Sequence, residues 1–109
     1  MAHYIVTGNY TQSAMKGMIA HPSDREVAAR GIIEAGGGKV VLFLLTAGDT
    51  DFLAVVEAQA SEGLLSSLLV IGASGAVANL KTQLAFTSAE FLQAQNMSAA
   101  MVAAYTAPT

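Results

Sequence analysis

Cysteine is absent from this 109-residue chain, which excludes disulfides, zinc–thiolate sites and thiol nucleophiles. Tryptophan is absent too, and Lys plus Arg number five against eight acids, a net charge of -3. Such a surface offers no basic stripe to a phosphate backbone, so nucleic acid is set aside as the main partner. Charged residues are only 12% of the chain, about half the ordinary share. So little charge coats a lone subunit poorly, and self-association is expected. Long apolar runs are also missing. Val40–Leu45 and the serine-interrupted Leu64–Ala73 fall far short of the ~20 residues that cross a bilayer. The opening MAHYIVTGNY has neither the basic nor the apolar part of a secretion signal. A cytoplasmic protein with no membrane partner is expected.

What is present is apolar: 53% of residues, ample for one core and one domain over residues 1–109. The organising stretch is Lys39 to Ala58, KVVLFLLTAGDTDFLAVVEA, two apolar arms joined by a Gly/Asp/Thr turn, which reads as a β-hairpin. From Val40 to Leu45 there is no polar residue, so neither face of that strand suits water. The chain's own helices can cover one face. The other calls for a further layer, and a second copy's sheet supplies it; the competing arrangement folds the C-terminal helix back over that face.

Upstream, His3 to Asn9 is rich in β-branched and aromatic residues and reads as the first strand. His3, Ile5, Thr7 and Asn9 lie on one face, with Tyr4, Val6, Gly8 and Tyr10 on the other. Thr11 caps a short helix that ends before His21-Pro22. Ser23 to Glu26, SDRE, has capping-box spacing and opens a second helix, with Val27, Ala28, Ile32 and Ala35 on one side and Gly36 as the left-handed C′ residue. After the hairpin a third helix runs from Ser61 to Ile71 with the stripe Leu64, Leu65, Leu68 and Ile71. Val77 to Phe86 alternates as a half-exposed strand that Lys81 guards at the sheet edge. Thr87 to Glu90, TSAE, repeats the capping box and opens a last helix toward Tyr105, packing through Phe91, Ala94, Met97, Met101 and Tyr105. Ala107-Pro108-Thr109 is a frayed end.

The order β-α-β-β-α-β with an added C-terminal helix is the α+β, ferredoxin-like arrangement: a four-stranded antiparallel sheet with helices on one face. The chain resembles the GYD-domain family. The resemblance is carried by Tyr10-Thr11, Arg25, Gly37-Gly38-Lys39, Gly48-Asp49-Thr50-Asp51, Gly75 and the Thr87-to-Glu90 cap. It covers nearly the whole chain and implies a subunit of the dimeric α/β-barrel type. Thr50 stands where the family's Gly-x-Tyr-Asp pattern has tyrosine, so a role for that phenol is absent or moved. The family brings no settled reaction.

In a sheet of spatial order 4-1-3-2, the end of strand one and the starts of strands three and four share one end. Asn9, Tyr10, Arg25, Asp51 and Asn79 converge there on this reading, as a tentative site for a small polar ligand. The plainer reading has Asp49 and Asp51 satisfying amides of the hairpin turn, with Arg25 paired to a nearby acid. His3 has no acidic neighbour at useful spacing and His21 precedes a proline, so both read as structural or surface residues and no metal is expected. No cofactor is expected either, and catalysis stays open. Gly36 to Gly38 follows a helix and precedes a strand, the reverse of a phosphate cradle, and reads as a C-cap turn. Ser66, Ser67 and Ser74 lack a nucleophile motif, and Met15, Met18, Met97 and Met101 either line an adaptable pocket or fill core gaps. Two classes of function remain: a small-molecule-binding protein or cofactor-independent enzyme acting as a homodimer or higher homo-oligomer, and a non-catalytic oligomerisation or regulatory module.

Overall fold

A computed structural model describes residues 1–108 of the chain. Thr109, assigned above to the frayed end, lies outside the described residues. The elements are β1 (Ala2–Tyr10), α1 (Gln12–Ala20), α2 (Arg25–Ala35), β2 (Lys39–Leu45), β3 (Phe52–Ala58), α3 (Ser61–Ala73), β4 (Val77–Ala85) and α4 (Ser88–Met101), followed by a 3-10 turn over Val102–Ala104. The strands form one four-stranded sheet in the order β2-β3-β1-β4, antiparallel throughout. This is the ferredoxin-like α+β architecture expected of the element order.

The core lies between one face of the sheet and helices α2 and α3. Central strand β3 alternates strictly between buried and half-buried residues, and Val56 at its middle is wholly out of water at 0% exposure. Val6 and Gly8 of β1 are buried beside it, as the alternation of that strand requires. In β2 the pairing slips between Val40 and Leu42. The extra residue, Val41, lets both Val40 and Phe43 turn toward the helices although they are three apart. Leu42 and Leu44 then point the other way, opposite Val55 and Leu53.

Among the described residues no helix covers that second face. Leu42 and Leu44 are 45% and 50% exposed there, beside the half-buried Ile5, Leu53 and Val55. Nor does α4 fold back over it. Helix α4 buries none of its residues, and its stripe of Phe91, Met97, Met101 and Tyr105 is exposed. The helix projects from the body, giving a 61 Å long axis and a radius of gyration of 17.7 Å, against roughly 13 Å for a compact chain of this length. The competing arrangement, in which the tail roofs its own sheet, is thereby ruled out, and the expected α4 packing face buries none of its residues.

Helix boundaries shift where local chemistry offers a better partner. The capping box at Thr87 forms in full, with the Thr87 side chain and Glu90 exchanging bonds with each other's amides. The one expected at Ser23 does not. Asp24 Oδ1 accepts from the Glu26 amide at 2.9 Å and caps α2, because Glu26 is drawn away to Arg30 at 2.7 Å. The left-handed residue after α2 is Gly37, φ 86°, rather than Gly36. The buried side of α2 is also rotated from the expected stripe. Ile33 is the residue in the core, while Val27 is 66% exposed. In α3, Leu65 likewise faces outward, and Leu64 and Ser67 are the buried pair. Ser67 Oγ donates to the carbonyl oxygen of Ile32, tying α3 to α2.

Candidate functional site

The end of β1, the hairpin turn, the start of α2 and the start of β4 place Asn9, Tyr10, Asp51, Arg25 and Asn79 near one end of the sheet, in two separate groups. Asn9, Asp51 and Asn79 form the first. Asp51 Oδ2 accepts from the Tyr10 amide at 2.9 Å and from Asn9 Nδ2 at 3.3 Å. Asn9 Nδ2 also donates to the carbonyl of Asp49 at 3.0 Å, and Asn9 Oδ1 accepts from Asn79 Nδ2 at 3.0 Å. Asn79 sits at a bulge in β4, where the pairing with β1 slips, and holds φ at 56°. Asparagine tolerates this left-handed geometry better than most residues. The carboxylate of Asp51 thus serves the backbone and a side-chain amide of β1 rather than the amides of its own hairpin turn, and the amides chain outward from it.

Tyr10 and Arg25 form the second group, on the helix-covered side. Strand alternation turns the Tyr10 ring away from Asn9 and onto Phe52, with ring centroids 5.5 Å apart. Gly8 makes that possible, since a Cβ at Gly8 would come within 2.9 Å of the Phe52 ring. Burial pushes the Tyr10 phenol above its ordinary pKa of 10.0, the nearby Arg25 guanidinium opposes the shift, and the Asp51 charge adds to it. The phenol is therefore a proton-bearing donor at neutral pH.

Arg25 opens α2 and has no acidic partner among the described residues, contrary to the pairing expected of it. Its Nη1 donates to Ser23 Oγ at 3.1 Å, and its Nε is buried with no hydrogen-bond partner. The nearby acids are committed elsewhere: Glu26 to Arg30, Asp24 to the Glu26 amide and Asp51 to Tyr10. Tyr10 and Arg25 together line a hollow of about 240 Å³ between sheet and helices, whose other walls include Ile32, Phe43, Phe52, Val70 and Val77. Phe43 and Phe52 lie near-parallel in it at 6.1 Å. A second hollow of about 220 Å³, walled by Ala14, Met18 and His21, meets the first at Tyr10, Arg25 and Ala76.

The hollow's apolar walls escape a reading that seeks polar convergence. Their signal in the sequence was the pair Phe43 and Phe52, which hairpin register brings together. Register also reveals a contact that sequence spacing hides. Glu57 of β3 lies opposite His3 of β1, and its Oε1 is 3.2 Å from His3 Nε2, so His3 does have an acidic neighbour. Of the methionines, Met18 lines the smaller of these two hollows. Among the described residues no cluster of three His, Cys, Asp or Glu side chains has the geometry to hold a metal, and no helix is long and apolar enough to cross a membrane.

The strand order, the one-sided helices and the added C-terminal helix define a ferredoxin-like α+β protein. Residues 4–95 match the model of the GYD domain, and the chain belongs to that family. Among solved structures it is similar in fold to the crystal structure of MtbAldR, with a TM-score of 0.58 at 16% identity over 80% of this chain and 54% of that one. The chain thus spans about half the length of MtbAldR. Weaker likenesses are TTHA0845 from Thermus thermophilus, TM-score 0.49 at 18% identity over 81% of this chain and 96% of that one, and FFRP-DM1, TM-score 0.48 at 13% identity over 79% and 100%. No curated protein matches the chain.

Proposed function

We propose that this GYD-family protein binds a small molecule in the hollow between sheet and helices, and that it acts as a homodimer or higher homo-oligomer through its open sheet face. The observation that carries the binding reading is Arg25: a half-buried cation with an unpartnered Nε, set at the rim of an apolar hollow. A buried N–H without a partner is costly, and a ligand that satisfies it offsets that cost. The polar side chains that line the hollow are Tyr10, Arg25 and Ser74. Of the five residues singled out in the sequence, Tyr10 and Arg25 face the ligand. Asn9, Asp51 and Asn79 hold the turn beneath them.

Self-association rests on the uncovered Leu42, Leu44, Leu53 and Val55, and on α4, whose exposed apolar side chains find no cover at home. Contiguous apolar patches of this kind mark interfaces. The alternative, a non-catalytic oligomerisation module, is favoured by the self-satisfied Asn9–Asp51–Asn79 chain. A thermal-shift screen against small acids, aromatics and aldehydes decides between them. Stabilisation by any class supports binding, and an unmoved melting temperature across all of them favours the module.

A further inference from the structure

The charge and shape of the hollow narrow what it takes. Arg25 lines the hollow beside Tyr10, its Nε buried without a hydrogen-bond partner and its Nη1 held by Ser23 Oγ. A guanidinium edge of this kind matches the two oxygens of a planar carboxylate. Among the described residues the acid–base side-chain contacts are His3–Glu57 and Arg30–Glu26; Arg25 takes part in neither. Among those residues the only cation walling the main hollow is Arg25, and in a chain with a net charge of -3 one positive side chain balances one negative charge rather than the two of a phosphate monoester. Beside it, the Tyr10 phenol stands as a hydrogen-bond donor to the same anion. Behind the polar rim the walls are aliphatic and aromatic, and the volume of about 240 Å³ lies below the roughly 300–1,000 Å³ of sites for drug-sized ligands.

Building on the reading of this hollow as a binding site, we infer that it takes a small amphipathic monocarboxylate, with the carboxylate on Arg25 and Tyr10 and a body of about one ring between Phe43, Phe52 and Val70. The anion enters from the rim that the main hollow shares with the smaller one walled by Met18 and His21, and the apolar end goes in first.

The test compares phenylacetate with its neutral shape-mimic phenylacetamide and with phenyl phosphate, by calorimetry on the full-length protein. Phenylacetate is expected to bind about tenfold or more tightly than the amide, the usual size of a charge-assisted hydrogen bond. Arg25→Gln is expected to bring the two together. Arg25→Lys, which keeps the charge and loses the planar edge, is expected to fall between. On the native protein, the Arg25 Nε–H resonance is expected to move with phenylacetate and stay in place with phenylacetamide, a readout that needs no variant to fold. Equal affinity for acid and amide overturns the carboxylate inference while leaving the hollow a binding site. Tighter binding of phenyl phosphate overturns the single-charge argument. If none of the three binds, the monocarboxylate inference falls, while the binding function stands or falls on the wider thermal-shift screen.

Discussion

The backbone of Gly36, at the end of α2, lies directly against that of Gly63 in the first turn of α3. A Cβ on Gly63 would overlap the Gly36 carbonyl oxygen, and one on Gly36 would overlap the Gly63 carbonyl oxygen and Ser67 Oγ. This contact lets α2 and α3 sit side by side on the sheet and leaves Ser67 free to bond Ile32. Gly63→Ala should therefore destabilise the protein by about 1–3 kcal/mol, the cost of forcing extra atoms into a packed interface. Gly31→Ala, inside α2 with open space around it, should stabilise it by about 0.5–1 kcal/mol by restricting the unfolded chain. Urea unfolding of both variants measures the difference, and equal midpoints would show that the glycine contact carries no packing constraint.

Asp51→Ala should act on the fold rather than on the ligand. It strands the Tyr10 amide, which otherwise donates to the carboxylate, at about 1–3 kcal/mol, while Asn9 Nδ2 keeps its bond to the Asp49 carbonyl. A lower melting temperature with ligand affinity retained at permissive temperature is expected. Unchanged stability with lost binding would instead place Asp51 in the ligand site.

Tyr10 supplies a pH signature. Its phenol ionises above the ordinary value of 10.0 because burial disfavours phenolate. With the folded value raised, its contribution to stability is fully present below about pH 10 and is lost as pH climbs through the folded pKa. An alkaline ultraviolet titration should show one tyrosine ionising late, and Tyr10→Phe should remove that step. A late step that survives in Tyr10→Phe would assign the shift to another ring.

The open sheet face predicts a change in mass without a change in fold. Leu44→Lys places a charge where one chain leaves the residue half exposed, so the folded subunit loses little. Light scattering should report a smaller assembly than for the native protein. An unchanged mass with Leu44→Lys and with Val55→Lys would locate self-association elsewhere, α4 being the remaining apolar surface.

The capping box of α4 can be tested with little interference, since the helix buries none of its residues. Thr87 holds the Glu90 carboxylate below the usual glutamate range, first through its amide and then through its side chain. With the folded value depressed, the cap contributes above the ordinary glutamate pKa and is lost as pH falls through the lower one. Helical circular dichroism should thus drop on acidification, and Thr87→Ala should produce the drop at neutral pH. A Thr87→Ala spectrum matching the native one would show that the cap does not hold α4.

Most of the fold could be read from the chain because its signals are local. Alternation in His3 to Asn9 and the Gly/Asp turn between two apolar arms fix strands, and TSAE fixes a helix start. The misread boundaries are those where neighbours compete for one group: Glu26 prefers Arg30 to the Ser23 amide, and a preference between partners is invisible to spacing alone. The site was legible in its membership and not in its grouping. Topology places Asn9, Tyr10, Arg25, Asp51 and Asn79 at one end, yet adjacent strand residues face opposite sides of a sheet. Asn9 therefore joins the turn while Tyr10 joins the hollow. Glu57 beside His3 depends on register between strands more than fifty residues apart, which no short window contains.

A fourteen-residue helix that buries none of its side chains is marginal by itself in water. If a second copy supplies its support, α4 is ordered only as far as subunits meet, and it unravels on dilution before the sheet melts. Far-ultraviolet ellipticity would then track protein concentration, making the tail a built-in gauge of how crowded the protein is.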